Sequence, residues 1–497
     1  MDAAVIVVGA GPTGLMLAAE LRLGGAEVIV LDRLAEPTGE SRGLGFTART
    51  VELFDQRGLL ERFGEVETSP MGHFGGVPLD YSVLPGGHFG ARSIAQGRVE
   101  AMLTGWATEL GADLRRGWDV TGLTDAGDHV EVTADTPDGP RTLRARFLVG
   151  CDGGRSTIRP LAGFEFPGTD ATIEMFLADV VGCDLEARQI GEKVPGGMVM
   201  SAPLKDGVDR IIVCERGTPP RRRTEPPTFE EVAAAWERLT GQDISGGTAT
   251  WVSSFGDATR QVTEYRRGSV LLAGDAAHIH LPAGGQGLST GVQDAVNLGW
   301  KLAATVNGRA PAGLLDSYHT ERHPVGERLL MNTQTQGYLY LSGSEVEPLR
   351  GVFAELMGLP EVGRHLAGMV SHLAVRYDVG EGDHPLLGRR VPNAELVGRA
   401  GDVGKTSVVE LLHAGRGVLL DLADDAAVRD AAAGWSDRVD IVTASPHGTD
   451  PGPYDTTTAL LIRPDGHTAW AAPGADGPAE ALGRWFGAPH RPDPVRK

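Results

Sequence analysis

The chain has 497 residues, which is enough for two to four domains of ordinary size. Its 46 lysines and arginines against 66 acidic residues give a formal net charge of −20, which argues against general binding to nucleic acid or to anionic membranes. Hydrophobic residues make up 41 % and can form a large core, so the 70 glycines, about twice the usual share, indicate tight turns and ligand loops rather than disorder.

The N-terminus and the cysteines restrict the cellular setting. Residues 1–8 lead directly into a glycine loop without a basic stretch, so we expect no secretory signal. No apolar run approaches the roughly 18 residues that span a bilayer, so we expect no membrane partner. Cys151, Cys183 and Cys214 are widely spaced and odd in number, which is typical of reduced thiols, and we therefore expect a cytoplasmic protein.

The first predicted elements form a β-α-β unit. Residues 3–8 are a β-branched apolar run typical of a strand buried on both faces, and residues 13–24 have the pattern of a helix. Residues 26–31 form a second predicted strand. A parallel pair of strands joined by a helix favours an α/β sheet.

The middle of the chain continues this mixture of strands and helices. Strands are predicted within residues 128–150, and residues 165–265 alternate as in an antiparallel sheet. A buried strand over residues 269–273 leads through a glycine-rich loop into a long helix over about 290–306. Residues 313–375 are predicted to be mostly helical.

A new pattern begins near residue 395 and predicts a separate small α/β domain. Its predicted order is helix, strand, helix, two strands separated from a third by a turn, and a final helix. The four strands are predicted over residues 417–422, 439–444, 459–463 and 468–472. The charged, proline-containing stretch at 389–392 predicts a linker, which we place over residues 376–394.

The first glycine cluster, residues 9–14, fits G-x-G-x-x-G between a strand and a helix. Gly9 permits the tight turn, Gly11 lets a pyrophosphate approach the backbone, and Gly14 lets the helix and the strand pack closely. The helix N-terminus supplies free N–H groups and a partial positive charge to the phosphates. Asp32 ends the second strand, where an acidic side chain accepts hydrogen bonds from an adenosine ribose. The motif predicts a bound dinucleotide and does not separate NAD from FAD.

The second glycine cluster, residues 150–154, follows a predicted strand and precedes the polar start of a helix. Its glycines allow a ligand to approach the backbone closely, and Arg155 and Arg159 are candidates for contacts with phosphate. An ordinary turn without a ligand is the alternative interpretation.

The third cluster, residues 273–288, begins directly after a buried strand. Asp275 is placed to bind a ribitol or ribose hydroxyl, and the loop from Pro282 to Gly287 has almost no side-chain bulk. This loop leads into the helix near Thr290, whose N-terminal partial charge can stabilise negative charge on a reduced isoalloxazine ring. A flexible surface loop is the alternative interpretation.

These three clusters, in this order and spacing, resemble the group A FAD-dependent aromatic hydroxylases, of the para-hydroxybenzoate hydroxylase type. The matching positions are Gly9, Gly11 and Gly14 in the dinucleotide loop, Asp152, Gly153 and Arg155 in the DG motif, and Gly274 and Asp275 in the GD motif. Arg42 and Gln96 correspond to an arginine and a glutamine that members of the family use on the cofactor.

The resemblance implies an α/β fold in which an FAD-binding Rossmann-like domain of the glutathione-reductase type is combined with an antiparallel-sheet substrate domain. The FAD-binding part would comprise residues 1–72, 90–170 and 265–375, and the substrate sheet about 73–89 and 171–264. Residues 395–497 look like the thioredoxin-like C-terminal domain of the phenol hydroxylase branch. Because no cysteine follows Cys214, we expect that domain to be structural rather than redox-active.

The resemblance also implies a set of cofactor-binding residues. We expect contacts with FAD from Gly9, Gly11, Pro12, Thr13, Gly14, Asp32, Arg33, Arg42, Gln96, Asp152, Gly153, Arg155, Gly274, Asp275, Pro282, Gly284, Gly285, Gln286, Gly287, Leu288 and Ser289. Ser289 stands where relatives more often carry asparagine. If that position contacts the flavin only through its backbone N–H, serine serves equally well.

Within the family the chain most resembles bacterial aromatic-polyketide hydroxylases, and among them the angucycline hydroxylases of antibiotic pathways. The resemblance implies that NADPH, with NADH as the alternative, reduces FAD. O₂ would then give a flavin C4a-hydroperoxide, and a phenolic ring would attack its distal oxygen. The substrate would be a polycyclic aromatic polyketide bound between the antiparallel sheet and the flavin. The candidates for its apolar lining are Phe176, Met198, Met200, Trp251 and Phe255. No catalytic acid or base can be named.

Other functions remain open at this point. The same scaffold supports Baeyer–Villiger oxygen insertion, and a flavin- or polyketide-binding protein without activity is the non-enzymatic alternative. His319 and His323 have metal-ligand spacing, but His-Thr-Glu-Arg-His is not H-E-x-x-H, so we expect no metal. Monomer and homodimer are both compatible with the sequence.

Overall fold

The computed structural model describes residues 1–40, 43–84, 88–92, 94–204, 206–221, 223–398, 404–447, 452–473 and 477–490. Its helices are, in chain order, α1 (Pro12–Leu23), α2 (Ala48–Asp55), α3 (Gln96–Glu109), α4 (Ile158–Leu161), α5 (Phe229–Thr240), α6 (Gln286–Val306), α7 (Ser317–Leu341), α8 (Glu347–Met357), α9 (Pro360–Val370), α10 (Ala426–Ala432) and α11 (Ala479–Phe486). None of these helices combines the length and the apolar character needed to cross a membrane.

An eight-stranded sheet forms the centre of the N-terminal part, and its parallel strands confirm the predicted β-α-β unit. Ala3–Val8 lies between Val28–Asp32 and Arg141–Gly150 and runs parallel to both. Asp113–Arg116 and Val270–Leu272 extend the parallel part on the two sides. The β-branched run of the central strand is almost entirely buried, because α1, α6 and other elements cover both faces of the sheet.

Three of these parallel strands explain where the glycine clusters meet. The strands that end at Val8, Gly150 and Leu272 are each followed by one of the three clusters. Parallel neighbours end at the same edge of a sheet, and open α/β sheets bind ligands outside the carboxyl ends of their strands. The topology therefore brings three segments that are distant in sequence to one edge.

A five-stranded antiparallel sheet forms a second layer, as the alternating pattern predicts. In spatial order its strands are Arg188–Val194, Gly197–Pro203, Val208–Glu215, Glu174–Val181 and Thr248–Gly256. Helix α5 covers one face of this sheet and buries Trp236 against it. A capping box begins α5, since the Thr228 hydroxyl accepts from the Glu231 N–H and the Glu231 carboxylate accepts from the Thr228 N–H.

Short strands complete the N-terminal part. A hairpin of Met71–Phe74 and Val77–Asp80 packs on α7 and α9. Asp119–Asp125, Val130–Asp135 and Arg266–Arg267 are the other three members of the eight-stranded sheet. The remaining strands are Gly45–Phe46, Glu67–Ser69, Gly90–Arg92, Gly168–Thr169, Thr259–Gln261 and His278–Ile279.

The C-terminal part has a six-stranded sheet of its own with α10 and α11. In spatial order its strands are Lys405–Ser407, Glu395–Gly398, Val439–Pro446, Gly417–Asp421, Ala459–Ile462 and Thr468–Ala472. The helix predicted at the start of this part is wrong, because two antiparallel strands and a single turn at Glu410–Leu412 stand there. Leu396 is buried between exposed neighbours, which is the period of a strand and not of a helix.

Residues 376–394, which the sequence predicted as a linker, pack into the C-terminal part. Tyr377 and Leu387 belong to its apolar core, and the Tyr377 N–H donates to the Gly388 carbonyl at 2.9 Å. Arg390 pairs with His467 as an isolated β-bridge. The charged stretch at 389–392 suggested an exposed linker. The segment is packed instead, because its apolar side chains fill the space beside the six-stranded sheet.

Buried charges join the C-terminal part to the N-terminal part. Glu321 of α7 accepts from Lys301 of α6 at 2.7 Å and from Arg463 of the C-terminal sheet at 2.6 Å. Burial alone would raise the pKa of the Glu321 carboxyl, but the charges of Arg463 and Lys301 outweigh burial and bring it to about 2. Arg463 also pairs with Asp465, so each charge in this junction has an opposite partner.

Candidate cofactor and substrate site

The first glycine cluster forms a tight turn in front of α1. Gly9 has a φ of +106°, and a Cβ there would collide with the Cys151 carbonyl. A Cβ at Gly14 would collide with the Gly9 carbonyl oxygen, so this glycine allows helix and strand to touch. At Gly11 an added Cβ would meet none of the described atoms within 4 Å. Gly11 is therefore the member of the motif whose outer side is open to a ligand.

The Asp32 carboxylate, at the end of the strand Val28–Asp32, is hydrogen-bonded to the backbone of the first glycine cluster. One carboxylate oxygen accepts the Ala10 N–H at 2.7 Å and the other accepts the Leu34 N–H at 2.8 Å. Each oxygen keeps a second lone pair, so the carboxylate can still accept from a ribose hydroxyl. Arg33, next in the chain, is exposed.

A polar group beside Asp32 was not identified from the sequence. Arg116 lies at the end of the neighbouring strand, and its Nη2 atom is buried without a hydrogen-bond partner among the described residues. Gln96, at the start of α3, donates to Glu100 at 2.8 Å, and burial raises the pKa of the Glu100 carboxyl. An unpartnered buried guanidinium nitrogen calls for a ligand acceptor or water, so Arg116 fits a dinucleotide in this corner.

The second glycine cluster lies against the first. Asp152 accepts the N–H groups of Thr157 and Ile158 through Oδ2, at 2.6 and 3.0 Å, while Oδ1 is buried without a partner in the described part of the chain. Gly153 has a φ of +79° and open space beside it. Arg155 is exposed.

Arg159 has a different place from the one the sequence suggested. Its guanidinium lies 3.8 Å from the centroid of the Phe166 ring and donates to the carbonyls of Ala276 and Gly154. These contacts join the second cluster to the third, so Arg159 holds the two loops together rather than pointing into open space.

The third cluster begins with a turn at Gly274–Ala276 that packs on the first cluster. Gly274 has a φ of +61°, and an added Cβ would lie 2.8 Å from the Thr13 hydroxyl oxygen. Asp275 is exposed at this turn. Gly284 and Gly285 are left-handed, with φ of +71° and +65°, and the helix after them begins at Gln286, four residues earlier than the predicted Thr290.

Two predicted residues of this loop have side chains that are buried and bonded within the protein. The Gln286 side chain is fully buried and donates to the Ala283 carbonyl at 3.0 Å. The Ser289 hydroxyl accepts the Thr47 N–H at 2.9 Å. Both residues can therefore offer a cofactor only their backbone, and serine at position 289 is explained by its bond to Thr47, the residue before α2.

The other predicted residues of this loop have no polar side chain to be bonded in this way, so they can contact a cofactor. Pro282 is exposed, Gly287 lies against the His280 ring, and Leu288 is half-buried beside Gly43. Burial lowers the pKa of His280 to about 4, so its imidazole is neutral at ordinary pH. Arg42 lies outside the described residues.

Asp294 of α6 organises the third cluster, and sequence reasoning missed it. Its carboxylate accepts from the Gly274 N–H at 3.1 Å and from His278 Nε2 at 2.8 Å, and it pairs with Arg322. Burial alone would raise the pKa of the Asp294 carboxyl, but Arg322 and His278 hold it below its ordinary value. An acidic residue in the middle of an apolar helix was the signal that could have revealed it.

The open positions together fit a dinucleotide that lies along this edge of the sheet. Space is open over Gly11, Gly153 and Gly285, since an added Cβ at these positions meets none of the described atoms within 4 Å. The N-termini of α1 and α6 both begin here, and each offers unpaired N–H groups and a partial positive charge. The donor set is therefore suited to phosphate at one end and to an electron-accepting ring at the other.

The inner face of the antiparallel sheet meets the third cluster. Met198 packs in one apolar group with Met175, Cys214 and Leu281, and Met200, Phe255 and Tyr340 lie at its border. Leu281 belongs to the loop that leads to Gly284, so the loop and the sheet enclose a common apolar region. Four of the five predicted lining residues share this face: Met198, Met200, Trp251 and Phe255.

Phe176, the fifth predicted lining residue, is on the opposite face of the sheet and does not share the inner face with the other four. It packs on α5, and the Arg223 guanidinium lies 5.4 Å from its ring centroid. Its strand neighbour Met175 points to the inner face. Successive side chains of a strand alternate between faces. One of these two residues therefore had to point away from the edge of the eight-stranded sheet where the three glycine clusters meet, which we call the cofactor edge.

An ion pair supports the inner face near Trp251. Arg210 donates to both carboxylate oxygens of Asp179, at 2.7 and 2.8 Å, and its guanidinium lies 5.4 Å from the Trp251 ring centroid. Arg210 is buried, so this pair fixes the indole in place.

The histidine pair on α7 has structural partners. His319 Nδ1 accepts the Tyr265 N–H at 3.3 Å, and His323 Nε2 donates to the Val262 carbonyl at 3.0 Å. No cluster of three or more metal-ligating side chains is found among the described residues.

Comparison with protein families gives two matches that together cover most of the chain. A model of an FAD binding domain matches residues 2–333, and a model of the C-terminal domain of aromatic-ring hydroxylases matches residues 384–489.

Individual relatives match over the full length. The chain is 47 % identical to 12-dehydrotetracycline 5-monooxygenase/anhydrotetracycline 6-monooxygenase of Streptomyces rimosus subsp. rimosus, over 98 % of this chain and 99 % of that protein. CabE, an aromatic hydroxylase from angucycline biosynthesis, has a crystal structure that is 66 % identical with a TM-score of 0.96, covering 99 % of this chain and 100 % of that one. BexE, studied for oxidation during BE-7585A biosynthesis, is 63 % identical with a TM-score of 0.94, at 99 % and 100 % coverage.

Proposed function

The chain belongs to the FAD-dependent aromatic-ring monooxygenases, and from this membership we propose that it hydroxylates a polycyclic aromatic polyketide of the angucycline type. NADPH and O₂ are the proposed co-substrates. The observation that carries the proposal is the apolar inner face of the antiparallel sheet, which meets the third glycine cluster at the cofactor edge. A flat polycyclic ring system is a chemical match for such a face.

FAD, when bound, would supply the electron transfer and the activated oxygen. The residues of the chain would hold and orient the reactants. The backbone N–H groups at the start of α1 would bind the pyrophosphate, with Gly11 giving the close approach. Asp32 and Arg116 are proposed to face the adenosine part, and the start of α6 the flavin ring.

The inner face would bind the aromatic substrate and exclude water. Met198, Met200 and Phe255 offer apolar contacts, and Trp251 is held by the Arg210–Asp179 pair. Exclusion of water matters because it protects a reactive oxygenating species from unproductive decay. No side chain at this face is assigned as a general base, so we propose that positioning and shielding are the main contributions of the protein.

The proposal is tested by incubating the FAD-loaded protein with NADPH, O₂ and a panel of tetracyclic phenols, followed by mass spectrometry. A product with one added oxygen on a ring carbon supports hydroxylation. An oxygen inserted into a carbon–carbon bond would instead establish Baeyer–Villiger chemistry. If the protein binds FAD but consumes no NADPH with any aromatic compound, the enzymatic proposal fails and a binding role takes its place.

A further inference from the structure

A continuous chain of hydrogen bonds runs from the hairpin turn to the third glycine cluster. The Gly75 N–H donates to Gln336 Oε1 at 3.1 Å, and Gln336 Nε2 donates to Asn332 Oδ1 at 2.8 Å. Asn332 Nδ2 donates to Gln286 Oε1 at 2.8 Å, and Gln286 Nε2 donates to the Ala283 carbonyl at 3.0 Å. The three amide side chains are buried, with exposures of 0 %, 2 % and 0 % for Gln336, Asn332 and Gln286. We call them the amide chain.

The ends of the amide chain determine its direction. A backbone N–H can only donate and a backbone carbonyl can only accept. Because the chain starts at the Gly75 N–H and ends at the Ala283 carbonyl, each side-chain amide has one possible orientation. Reversing any single amide would bring two donors or two acceptors together in a buried place, which is costly.

Packing leaves the amide chain little room to shift. A Cβ at Gly284 would lie 3.3 Å from Gln286 Nε2 and 3.8 Å from Gln336 Nε2, so the chain lies directly under the left-handed turn. At the other end, Arg350 donates to the Gly75 carbonyl at 2.7 Å, and a Cβ at Gly75 would lie 2.7 Å from Leu339 Cβ. The hairpin turn and the glycine turn are thus held at fixed positions on the same side of α7.

The last bond of the chain orients one peptide plane. In a trans peptide the carbonyl and the following N–H point in opposite directions. Since the Ala283 carbonyl turns inward to Gln286, the Gly284 N–H points away from the amide chain, and the next residue, Gly285, has no described atom within 4 Å of an added Cβ.

We propose that Gln336 and Asn332 are positioning residues for FAD: through Gln286 they hold the Ala283–Gly284 peptide so that the Gly284 N–H faces the hydrogen-bond-accepting edge of the flavin ring. The proposal rests on the proposed function in one respect, namely that the third cluster meets the flavin. It assigns a cofactor-related role to two residues of α7 that belong to none of the glycine motifs.

The direction of the chain gives a distinctive consequence. A carboxylate in place of any of the three amides can only accept, so every amide between it and the loop must reverse. The conflict is then transferred to the Ala283 carbonyl, which would face an amide oxygen of Gln286 in the first two cases and the carboxylate itself in Gln286→Glu. Gln336→Glu, Asn332→Asp and Gln286→Glu should therefore disturb the same peptide, although they lie at different distances from it.

The test is a titration of the apoprotein with FAD, followed by flavin fluorescence across pH 5 to 9. We expect each of the three variants to bind FAD about tenfold more weakly above the pKa of the introduced carboxyl, the loss of about one hydrogen bond to a buried group. Below that pKa the protonated carboxyl can donate, and FAD affinity should return to the wild-type value. Gln334→Glu, on the same helix and only half-buried, is the matched control and should bind FAD normally throughout.

Gln336→Met separates polarity from packing, since it breaks the chain without imposing a reversal. It should bind FAD about threefold more weakly than the wild type and without a new pH dependence, whereas Gln334→Met, at a half-buried position of the same helix, should bind FAD as the wild type does. This comparison carries the test if the carboxylate variants fail to fold, and equal FAD binding by the two methionine variants would overturn the proposal. The proposal is overturned if Gln336→Met weakens binding as much as Gln336→Glu. It is also overturned if the carboxylate effect is independent of pH or appears only in Gln286→Glu.

These results are independent of the oxygenation assay. Wild-type protein that binds FAD but oxygenates no aromatic compound would refute the proposed function and leave the amide chain testable. Unchanged FAD binding in all carboxylate variants would refute the amide-chain proposal alone.

Discussion

The Asp294 carboxylate lies 2.7 Å from Nε of Arg322, and both side chains are fully enclosed beneath the turn at Gly274. The pair joins α6 to α7, and through its second oxygen Asp294 holds the first N–H of that turn. Arg322 in turn donates to the Tyr377 hydroxyl at 2.9 Å, in the segment beside the C-terminal sheet. A single carboxylate thus connects the cofactor edge with the interior of the molecule.

We expect Asp294→Asn to destabilise the protein strongly. The neutral amide leaves Arg322 buried without its counter-charge, a change that typically costs about 3–5 kcal/mol. The midpoint of urea unfolding and the FAD content of the purified protein should both fall. Asp316→Asn is the control, because Asp316 pairs with Arg266 at the surface and its side chain is 68 % exposed, so its loss should cost at most about 0.5 kcal/mol. Equal effects of the two variants would contradict this account of Asp294.

Gly11 and Gly14 should respond differently to the same substitution. Gly11→Ala places a methyl group in open space at an ordinary φ of −79°, so the apoprotein should keep its stability to within about 1 kcal/mol. FAD affinity should fall at least about tenfold, because the methyl group occupies the path of the pyrophosphate. Gly14→Ala should instead unfold the apoprotein at lower urea, since its Cβ collides with the Gly9 carbonyl oxygen. Comparing the two apoproteins by circular dichroism checks the distinction; a Gly11→Ala variant with normal FAD affinity would rule out the proposed approach.

The apoprotein should lose stability as the pH falls from about 6.5 toward 4. Burial lowers the pKa of His372 to about 3 and that of His467 to about 4, while both titrate near 6.5 in the unfolded chain. In this range the unfolded state binds more protons than the folded state, so the free energy of unfolding rises with pH, by up to about 1.4 kcal/mol per pH unit for each histidine. The measurement is urea unfolding at pH 5, 6 and 7.

A variant identifies the contribution of His372. Its Nδ1 accepts from Gln293 at 2.8 Å and its φ is +62°, so His372→Asn keeps an acceptor and a residue that tolerates this backbone. The slope of stability against pH should become shallower in this variant. His365→Asn, at an exposed position, should leave the slope unchanged. A slope that is the same in all three proteins would show that His372 does not titrate as described.

Phe255 and Phe176 form a matched pair for the substrate face. They stand on neighbouring strands of one sheet, but Phe255 points to the inner face and Phe176 to α5. Phe255→Leu should raise KM for the aromatic substrate about fivefold, as expected for the loss of an aromatic contact of about 1 kcal/mol. Phe176→Leu should leave KM unchanged. Steady-state kinetics of the two variants decide this. A larger effect on KM at Phe176 would place the substrate on the α5 face of the sheet and contradict the proposed inner-face site.

Much of the fold followed from local sequence patterns. The buried strand at residues 3–8, the turn at Gly9–Gly14 and the long helix after Gly285 were all predictable, because glycine spacing and β-branched runs reflect constraints within a few residues of the chain. The start of the C-terminal part was predicted as a helix because its alternation is short. Its strand Glu395–Gly398 is specified by pairing with the distant strand Val439–Pro446, and Lys405–Ser407 pairs in turn with Glu395–Gly398.

The faces of the antiparallel sheet show why local patterns were not enough for the site. Both faces are covered, one by α5 and the other by the third glycine cluster, so apolar residues occur at successive positions such as Met175 and Phe176. Alternation of polarity then carries no information about which face meets a ligand. Only the packing of α5 assigns Phe176 to the outer side.

The sequence by itself determined the three glycine clusters, their order and the family they indicate, because each motif is set by backbone demands at neighbouring positions. Only the tertiary structure decided that Asp294 holds the third cluster and that Gln336 and Asn332 reach the Ala283 carbonyl through Gln286. These contacts join residues that are far apart in the chain. The hydrogen-bond partner of a buried polar side chain is determined only when the elements that carry both residues pack together.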